Sequence, residues 1–438
     1  MKNRTLFNHR QLWCIAGPLM IANLSTPLLG LVDSAIMGHQ ESPDYLGAVA
    51  LGGMIFNFIF WGLGFLRMGT TGVVAQAQGQ QDTFEIKAIL LRTLLLAVFL
   101  ASLILLSHPF IIGLSFTFID SSTAIKTLTE TYFNIRIWCS PATLINYVLI
   151  GVFIGLQSTQ KSLAIVVSTN LTNIVLDIVF VIILNQGIAG LAFATVLSEY
   201  TGMITGLLLL PTALPKNNTF WFKYPIFSFE KIKYQLVINN NIFIRTLCLI
   251  ATFSFFISQS AQYGPIILAA NTLLMNFQAL MAFVLDGFAH ATEALVGKSL
   301  GQQNKAQLKQ VLNTATLWSF TMAVFFSLLY LTFGNQLINA LTDLTPVRTA
   351  SYHYLPWLVI TPVISVWCYL LDGIFIGATW SHHMRNTMVF STLFCFLPTW
   401  YLSQSFYNHG LWFSLVIFML ARGLSMGWIF KRTPLFKV

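Results

Sequence analysis

Two aspartates stand where charge is expensive. Asp33 lies in an apolar run that opens near Leu12, six residues after Pro27, and Asp177 closes the stretch Ser168-Thr-Asn170-Leu-Thr-Asn173-Ile-Val-Leu-Asp177. An acid at the centre of a membrane helix costs about 2.5–3.5 kcal/mol even on the lenient scales, so one kept there marks an ion or substrate path by default. On a helix, Asn170, Asn173 and Asp177 recur at i, i+3 and i+7 and share one face, which gathers an acid and two amides. Thr195, in Ala192-Phe-Ala-Thr195-Val-Leu-Ser-Glu199, adds a hydroxyl of the kind that by itself only cross-links membrane helices. Carboxylates, amides and hydroxyls can take up a proton or hold Na⁺. Burial and mutual repulsion both oppose ionisation, so Asp33 and Asp177 are expected to titrate as one coupled unit. Pro27 provides a joint, because its missing N–H interrupts the backbone ladder of the helix that carries Asp33.

Other chemistries are missing from the sequence. There is no His-Glu-x-x-His zinc motif, no glycine-rich phosphate loop and no pair of Asp-rich motifs for Mg²⁺. Neither an enzyme nor a resident metal or cofactor is expected. His382 and His383, beside Arg385, read as a solvated loop. The five cysteines fall in apolar stretches without metal-ligand spacing and read as small packing residues.

The elements that must position the two acids follow from composition. Of 438 residues, 56% are hydrophobic and 8% charged, and the mean hydropathy is +0.73, which defines an all-α polytopic membrane protein. Apolar runs predict twelve transmembrane helices, at about 12–38, 46–75, 88–107, 131–156, 163–184, 188–210, 241–262, 267–295, 311–333, 351–379, 387–404 and 411–430. The short alternating segments of a β-barrel are absent. The net charge of +9 reports orientation rather than a nucleic-acid partner. Seventeen of the 23 Lys and Arg fall on one side of this path, Lys126 and Arg348 on the other, and Arg67, Arg136, Arg245 and Arg422 within or at the ends of helices. The positive-inside rule then places both termini in the cytoplasm, of an inner membrane crossed many times. The first run is too long for a signal peptide and carries Pro18, Pro27 and Asp33, so it reads as a retained helix.

Residues 211–240, with Pro211, Pro215, Pro225 and four lysines, read as a cytoplasmic linker between an N-lobe at 1–210 and a C-lobe at 241–438. A shift of 222 positions lays Gly79-Gln-Gln81 on Gly301-Gln-Gln303 and Gly151-Val-Phe-Ile-Gly155 on Gly373-Ile-Phe-Ile-Gly377. Two pseudo-symmetric six-helix bundles around a central cleft are therefore expected, of like orientation, as alternating access requires. The acids do not repeat: Asp286, Glu293 and Asp372 fall opposite Gly64, Thr71 and Ile150. Asp286 either lines the cleft or pairs with Arg245 or Arg422. Arg67, two turns before a loop, either snorkels or pairs with an acid.

Several motifs together carry a family likeness. They are Pro27-x5-Asp33-x4-Gly38, Leu46-Gly-Ala-Val-Ala-Leu-Gly-Gly53, Gly64-Phe-Leu-Arg-Met-Gly-Thr-Thr-Gly72, Ala75-Gln-Ala-Gln-Gly79, Gly151-Val-Phe-Ile-Gly-Leu-Gln157 and Asn173-x3-Asp177. Over its whole length the chain resembles the multidrug and toxic compound extrusion (MATE) family, in its DinF-type branch. The resemblance implies antiport of organic, cationic or amphipathic compounds out of the cell. It maps a coupling site onto Asp33, Tyr132, Asn173, Asp177 and Thr195, with Asp33 as the main carboxylate and H⁺ preferred to Na⁺. Asn170, Arg136, Asp286 and Asp372 stand as secondary or cleft residues. The NorM-type branch expects an acid in helix seven and one in mid helix ten; here helix seven has none and Asp372 directly precedes Gly373, so coupling is expected in the N-lobe. The implied partners are small organic molecules and the lipid bilayer, with no nucleic acid and a monomeric chain. The alternative reading is a flippase for lipid-linked saccharides, which would line its cleft with cations for a pyrophosphate.

Overall fold

The computed structural model describes residues 9–38, 42–118, 122–214 and 228–433. Lys2, Arg4, Lys216, Lys223 and Lys437 of the charge pattern, with residues 215–227 of the linker, lie outside the described residues. Every regular element among the described residues is helical. Twelve segments run in order: α1 His9–Gly38, α2 Pro43–Gly79, α3 Thr83–Phe118, α4 Thr123–Gly155, α5 Thr159–Ile183, α6 Gly187–Ala213, α7 Phe229–Gln262, α8 Pro265–Gly301, α9 Lys305–Leu341, α10 Thr345–Gly377, α11 at 381–402, and α12 Tyr407–Arg432. All but α11 contain a stretch long and apolar enough to cross a bilayer, and most exceed the ~20 residues a span needs. Side chains cap several starts: Ser42 accepts from the N–H of Asp44, Ser122 from Ile125 and Asn304 from Gln307. His382 and His383 lie in the first turn of α11 rather than in a loop.

Four segments are interrupted, each at a place the residues explain or mark. α2 breaks at Leu63 and Gly64, beside Gly62, where glycine weakens a helix. α4 tightens to a 3₁₀ turn at Ile137–Cys139, ahead of Pro141. Proline supplies no N–H to the carbonyl four residues earlier, and the Ser140 hydroxyl donates to that Ile137 carbonyl at 2.7 Å instead. α5 widens to a π turn at Ile178–Ile183, directly after Asp177, and α11 has one at Ser391–Phe396. Such turns are rare and concentrate at functional sites.

The sequence repeat is a backbone repeat. α2 and α8 end at Gly79 and Gly301, α3 and α9 start at Thr83 and Lys305, and α4 and α10 end at Gly155 and Gly377, all 222 positions apart. Left-handed residues terminate the equivalent helices: Gln81 (φ 59°) and Gln303 (53°), then Gln157 (59°) and Thr379 (58°). A Cβ on Gly151 or Gly155 would strike the carbonyls of Arg67 and Thr71 on α2; on Gly373 or Gly377 it would strike those of Ala289 and Glu293 on α8. These partners too are 222 apart. Small residues one turn apart let two backbones touch, the usual way membrane helices pack without a hydrophobic driving force.

Contacts divide the chain into two units, Ile21–Gln235 and Met1–Met20 with Leu236–Val438. In the second, the first turns of α1 bury Leu12, Ala16 and Leu19, one helical face, and Trp13 meets Phe288 and Trp318 edge-on at 5.2 and 5.1 Å. Its core gathers Phe256, Phe396, Trp412 and Phe418 around a closed polar knot. There Asn271 donates to Ser260 and Asn408 at 2.7 Å, and its carbonyl oxygen accepts from Asn408 and from the Trp412 indole. In the first unit, Arg92 of α3 is held by Glu85, which also pairs with Lys231 at the start of α7.

Candidate functional site

The site in the first unit is built where α1 and α5 meet. Asp177 is the last residue of the α-helical part of α5, just before the π turn, and Asn173 lies one turn earlier on the same face; both are 0% exposed. The carboxylates of Asp33 and Asp177 come within hydrogen-bonding reach of each other. Apart from that approach, Asp33 Oδ1, both carboxylate oxygens of Asp177 and both side-chain atoms of Asn173 have no hydrogen-bond partner among the described residues. Buried polar atoms are nearly always paired, so a cluster of four such oxygens and one amide fits a proton, water or a small cation. Asn170, a turn before Asn173, donates instead to Ser25 Oγ at 2.9 Å and ties α5 to α1 just before Pro27. α1 continues as helix through Pro27 to Gly38.

The positive side of the site comes from α4. Arg136 Nη1 donates to the Tyr132 hydroxyl at 2.5 Å, and the guanidinium lies over the rings of Phe56 and Tyr132, at 4.7 and 5.4 Å from their centroids. It lies within electrostatic reach of both Asp33 and Asp177, and Tyr132 within reach of Asp33. Tyr132 is wholly buried, packed where a Cβ on Gly52 of α2 would strike its ring. That close approach explains one glycine of the Leu46–Gly53 motif. Thr195 is buried, with its hydroxyl donated to the Leu191 carbonyl of its own helix at 3.1 Å rather than to either acid.

The secondary residues of the second unit have a different geometry. Arg245 and Arg422 both donate to Asp372 Oδ2, from α7 and α12, the latter at 2.9 Å. The two arginines that could have served Asp286 therefore converge on Asp372; Asp286 is within electrostatic reach of Arg422 and Tyr369. His290 and Glu293 approach at 3.6 Å on α8.

One pair in the first unit was not singled out by sequence. Asn146 of α4 donates both to the backbone carbonyl and to the carboxylate of Glu199, at 3.1 and 3.0 Å. Glu199 follows Thr195 by one helical turn, and that spacing was the available signal.

Comparison with known proteins agrees with this architecture. The MatE family profile matches residues 18–179 and 242–402, one stretch in each half. The chain is 38% identical over 423 residues to DNA damage-inducible protein F of Escherichia coli (strain K12), covering 97% of this chain and 92% of that one. It is 21% identical to the probable multidrug resistance protein NorM of Bacillus cereus, over 100% of this chain and 98% of the relative. Among solved structures, that of MATE in the straight conformation superposes with a TM-score of 0.87 at 21% identity, covering 97% of this chain and 96% of that one. With two matched halves, a repeated helical plan and a relative of this similarity, the chain belongs to the MatE family of multidrug and toxin efflux transporters.

Proposed function

We propose that the chain is a secondary antiporter that exports organic cationic or amphipathic compounds from the cell in exchange for H⁺, with Asp33 as the main coupling carboxylate and Asp177 as its partner. The observation that carries this reading is the approach of the two carboxylates inside the first unit, with no other hydrogen-bond partner for Asp177. Two carboxylates so close cannot both stay charged without repulsion, and one shared proton relieves it. Loss of that proton leaves an anionic pair beside a single guanidinium already engaged by Tyr132, which draws in a cationic substrate. Protonation from outside removes the attraction and releases the substrate outward. Pro27 and the Asn170–Ser25 bond are where a change of charge at Asp33 becomes movement of α1.

The same oxygens suit Na⁺; H⁺ is preferred because one shared proton relieves the repulsion between two carboxylates within hydrogen-bonding reach of each other. A saccharide-lipid flippase would offer cations to a pyrophosphate; Arg245 and Arg422 are instead held by Asp372, and Arg136 by Tyr132. The inner membrane, with both termini cytoplasmic, is the location that the distribution of Lys and Arg supports.

The deciding experiment is substrate transport in proteoliposomes under a pH gradient and, separately, a Na⁺ gradient. Wild type should respond to the pH gradient alone, and Asp33→Asn should respond to neither. Retention of proton-driven efflux by Asp33→Asn sinks the proposal, and a response to Na⁺ alone replaces the ion.

A further inference from the structure

A cavity lies away from the acids, inside the second unit, in a groove between α9, α10 and α12. Its volume is about 870 Å³, within the ~300–1,000 Å³ typical of ligand pockets. Its lining is mostly apolar, with Leu371 on α10 and Leu420 and Trp428 on α12, and Lys309 and Lys431 line it as well. Lys309 is in the second turn of α9 and Lys431 in the last turn of α12, so both mark the same end of the bundle. Leu420 to Lys431 spans eleven residues, roughly 16 Å of helix. That matches one leaflet, about half of the ~30 Å hydrocarbon core.

We propose that this groove is a binding site for an anionic phospholipid of the cytoplasmic leaflet, its acyl chain lying along α12 and its phosphate between Lys309 and Lys431. Charge complementarity selects the occupant. Neither lysine pairs with a carboxylate among the described residues. The Arg432 guanidinium stacks on the Trp428 ring at 3.9 Å, which adds a third cation at the same end. Residues 297–316 and 420–433 contain no Asp or Glu at all. An apolar slot one leaflet deep, closed at its wet end by unopposed cations, matches an acyl chain joined to a phosphate. A zwitterionic lipid would bring its own ammonium to an end that already holds three cations.

The groove can be closed without touching its charge. A Cβ on Gly427 meets only a Leu371 methyl, at 3.9 Å, so a larger side chain there enters the slot rather than the protein backbone. The full chain is reconstituted into phosphatidylethanolamine vesicles containing a minor fraction of phosphatidylglycerol, extracted in mild detergent and examined by native mass spectrometry. Wild type should retain phosphatidylglycerol in excess over its share of the vesicle. Gly427→Leu should lose most retained lipid of either kind. The double variant Lys309→Gln/Lys431→Gln should keep lipid but lose the preference, by roughly fivefold per lysine if each acts as a typical juxtamembrane cation. Lys161→Gln, which removes a cation bonded to Thr212 in the other unit, should leave the preference unchanged. The proposal is overturned if the lysine and Gly427 variants retain the wild-type ratio and amount. It is equally overturned if Lys161→Gln lowers the preference as much, or if wild type runs as a dimer that Gly427→Leu dissociates, which would make the groove a contact between copies of the chain.

Discussion

The two units of this protein share a backbone plan, yet Asp372 in one and the pair Asp33 and Asp177 in the other are held in opposite ways. In the second unit two polar clusters are closed: Asp372 takes two guanidinium groups, and Asn271, Asn408, Ser260 and Trp412 satisfy one another. In the first unit Asp33, Asn173 and Asp177 gather side-chain atoms with no hydrogen-bond partner among the described residues, beside an arginine whose nearest bond is to a tyrosine. A closed cluster holds a fold and has nothing left to exchange. An open one costs stability and keeps the capacity to bind. On the function proposed above, the Asp372 cluster holds the fold and the Asp33 cluster exchanges an ion, and mutation can break or sharpen that contrast.

The largest effect is expected from Asp33→Asn: complete loss of proton-driven efflux, with unchanged or higher resistance to unfolding, because the substitution removes a charge that the fold does not neutralise. Asp372→Ala should do the reverse. It strands Arg245 and Arg422 and should cost about 3–5 kcal/mol, read as earlier unfolding in detergent titration, while surviving protein still couples to the proton gradient. If Asp372→Ala instead uncouples transport in folded protein, the contrast between the units is wrong. Asn271→Ala leaves Asn408 and the Trp412 indole without the partner shown here and should cost about 1–3 kcal/mol in the same unfolding assay, without a change in coupling. Gly52→Ala forces the Tyr132 ring from its seat and, with it, the bond to Arg136, so a several-fold fall in transport rate should come with only a small loss of stability. The smallest effect belongs to Asn170→Ala, which removes one bond between α5 and α1; roughly 0.6 kcal/mol is typical of such membrane bonds, visible as a modest change in transport rate rather than in unfolding.

Much of this plan could be read before any coordinates. The spans are legible because a bilayer demands about twenty apolar residues at a time, and the repeat because glycines at backbone contacts and left-handed helix ends tolerate little substitution. Asp33 and Asp177 are legible as acids in apolar runs. The partners of Asp372 were not, since Arg245 and Arg422 come from helices more than a hundred residues apart in sequence and only packing of α7, α10 and α12 brings them together. Glu199 carried the one-turn spacing from Thr195 as a signal, but its bond to Asn146, 53 residues away, is made only by the packing of α4 against α6. The interruptions divide likewise. The 3₁₀ turn before Pro141 follows from a missing N–H, whereas nothing in Ile178–Ile183 announces a π turn.

The glycine contacts of α4 with α2, and of α10 with α8, have an evolutionary consequence. At these seams what Arg67, Thr71, Ala289 and Glu293 present to the glycine is their main chain, which every amino acid carries, so the side chains at these positions were free to drift. Arg67 in one half stands where Ala289 stands in the other, and Thr71 where Glu293 stands, with the helix seam intact. A duplicated bundle joined through its backbone could thus change the side-chain chemistry of one copy without reopening the architecture of either.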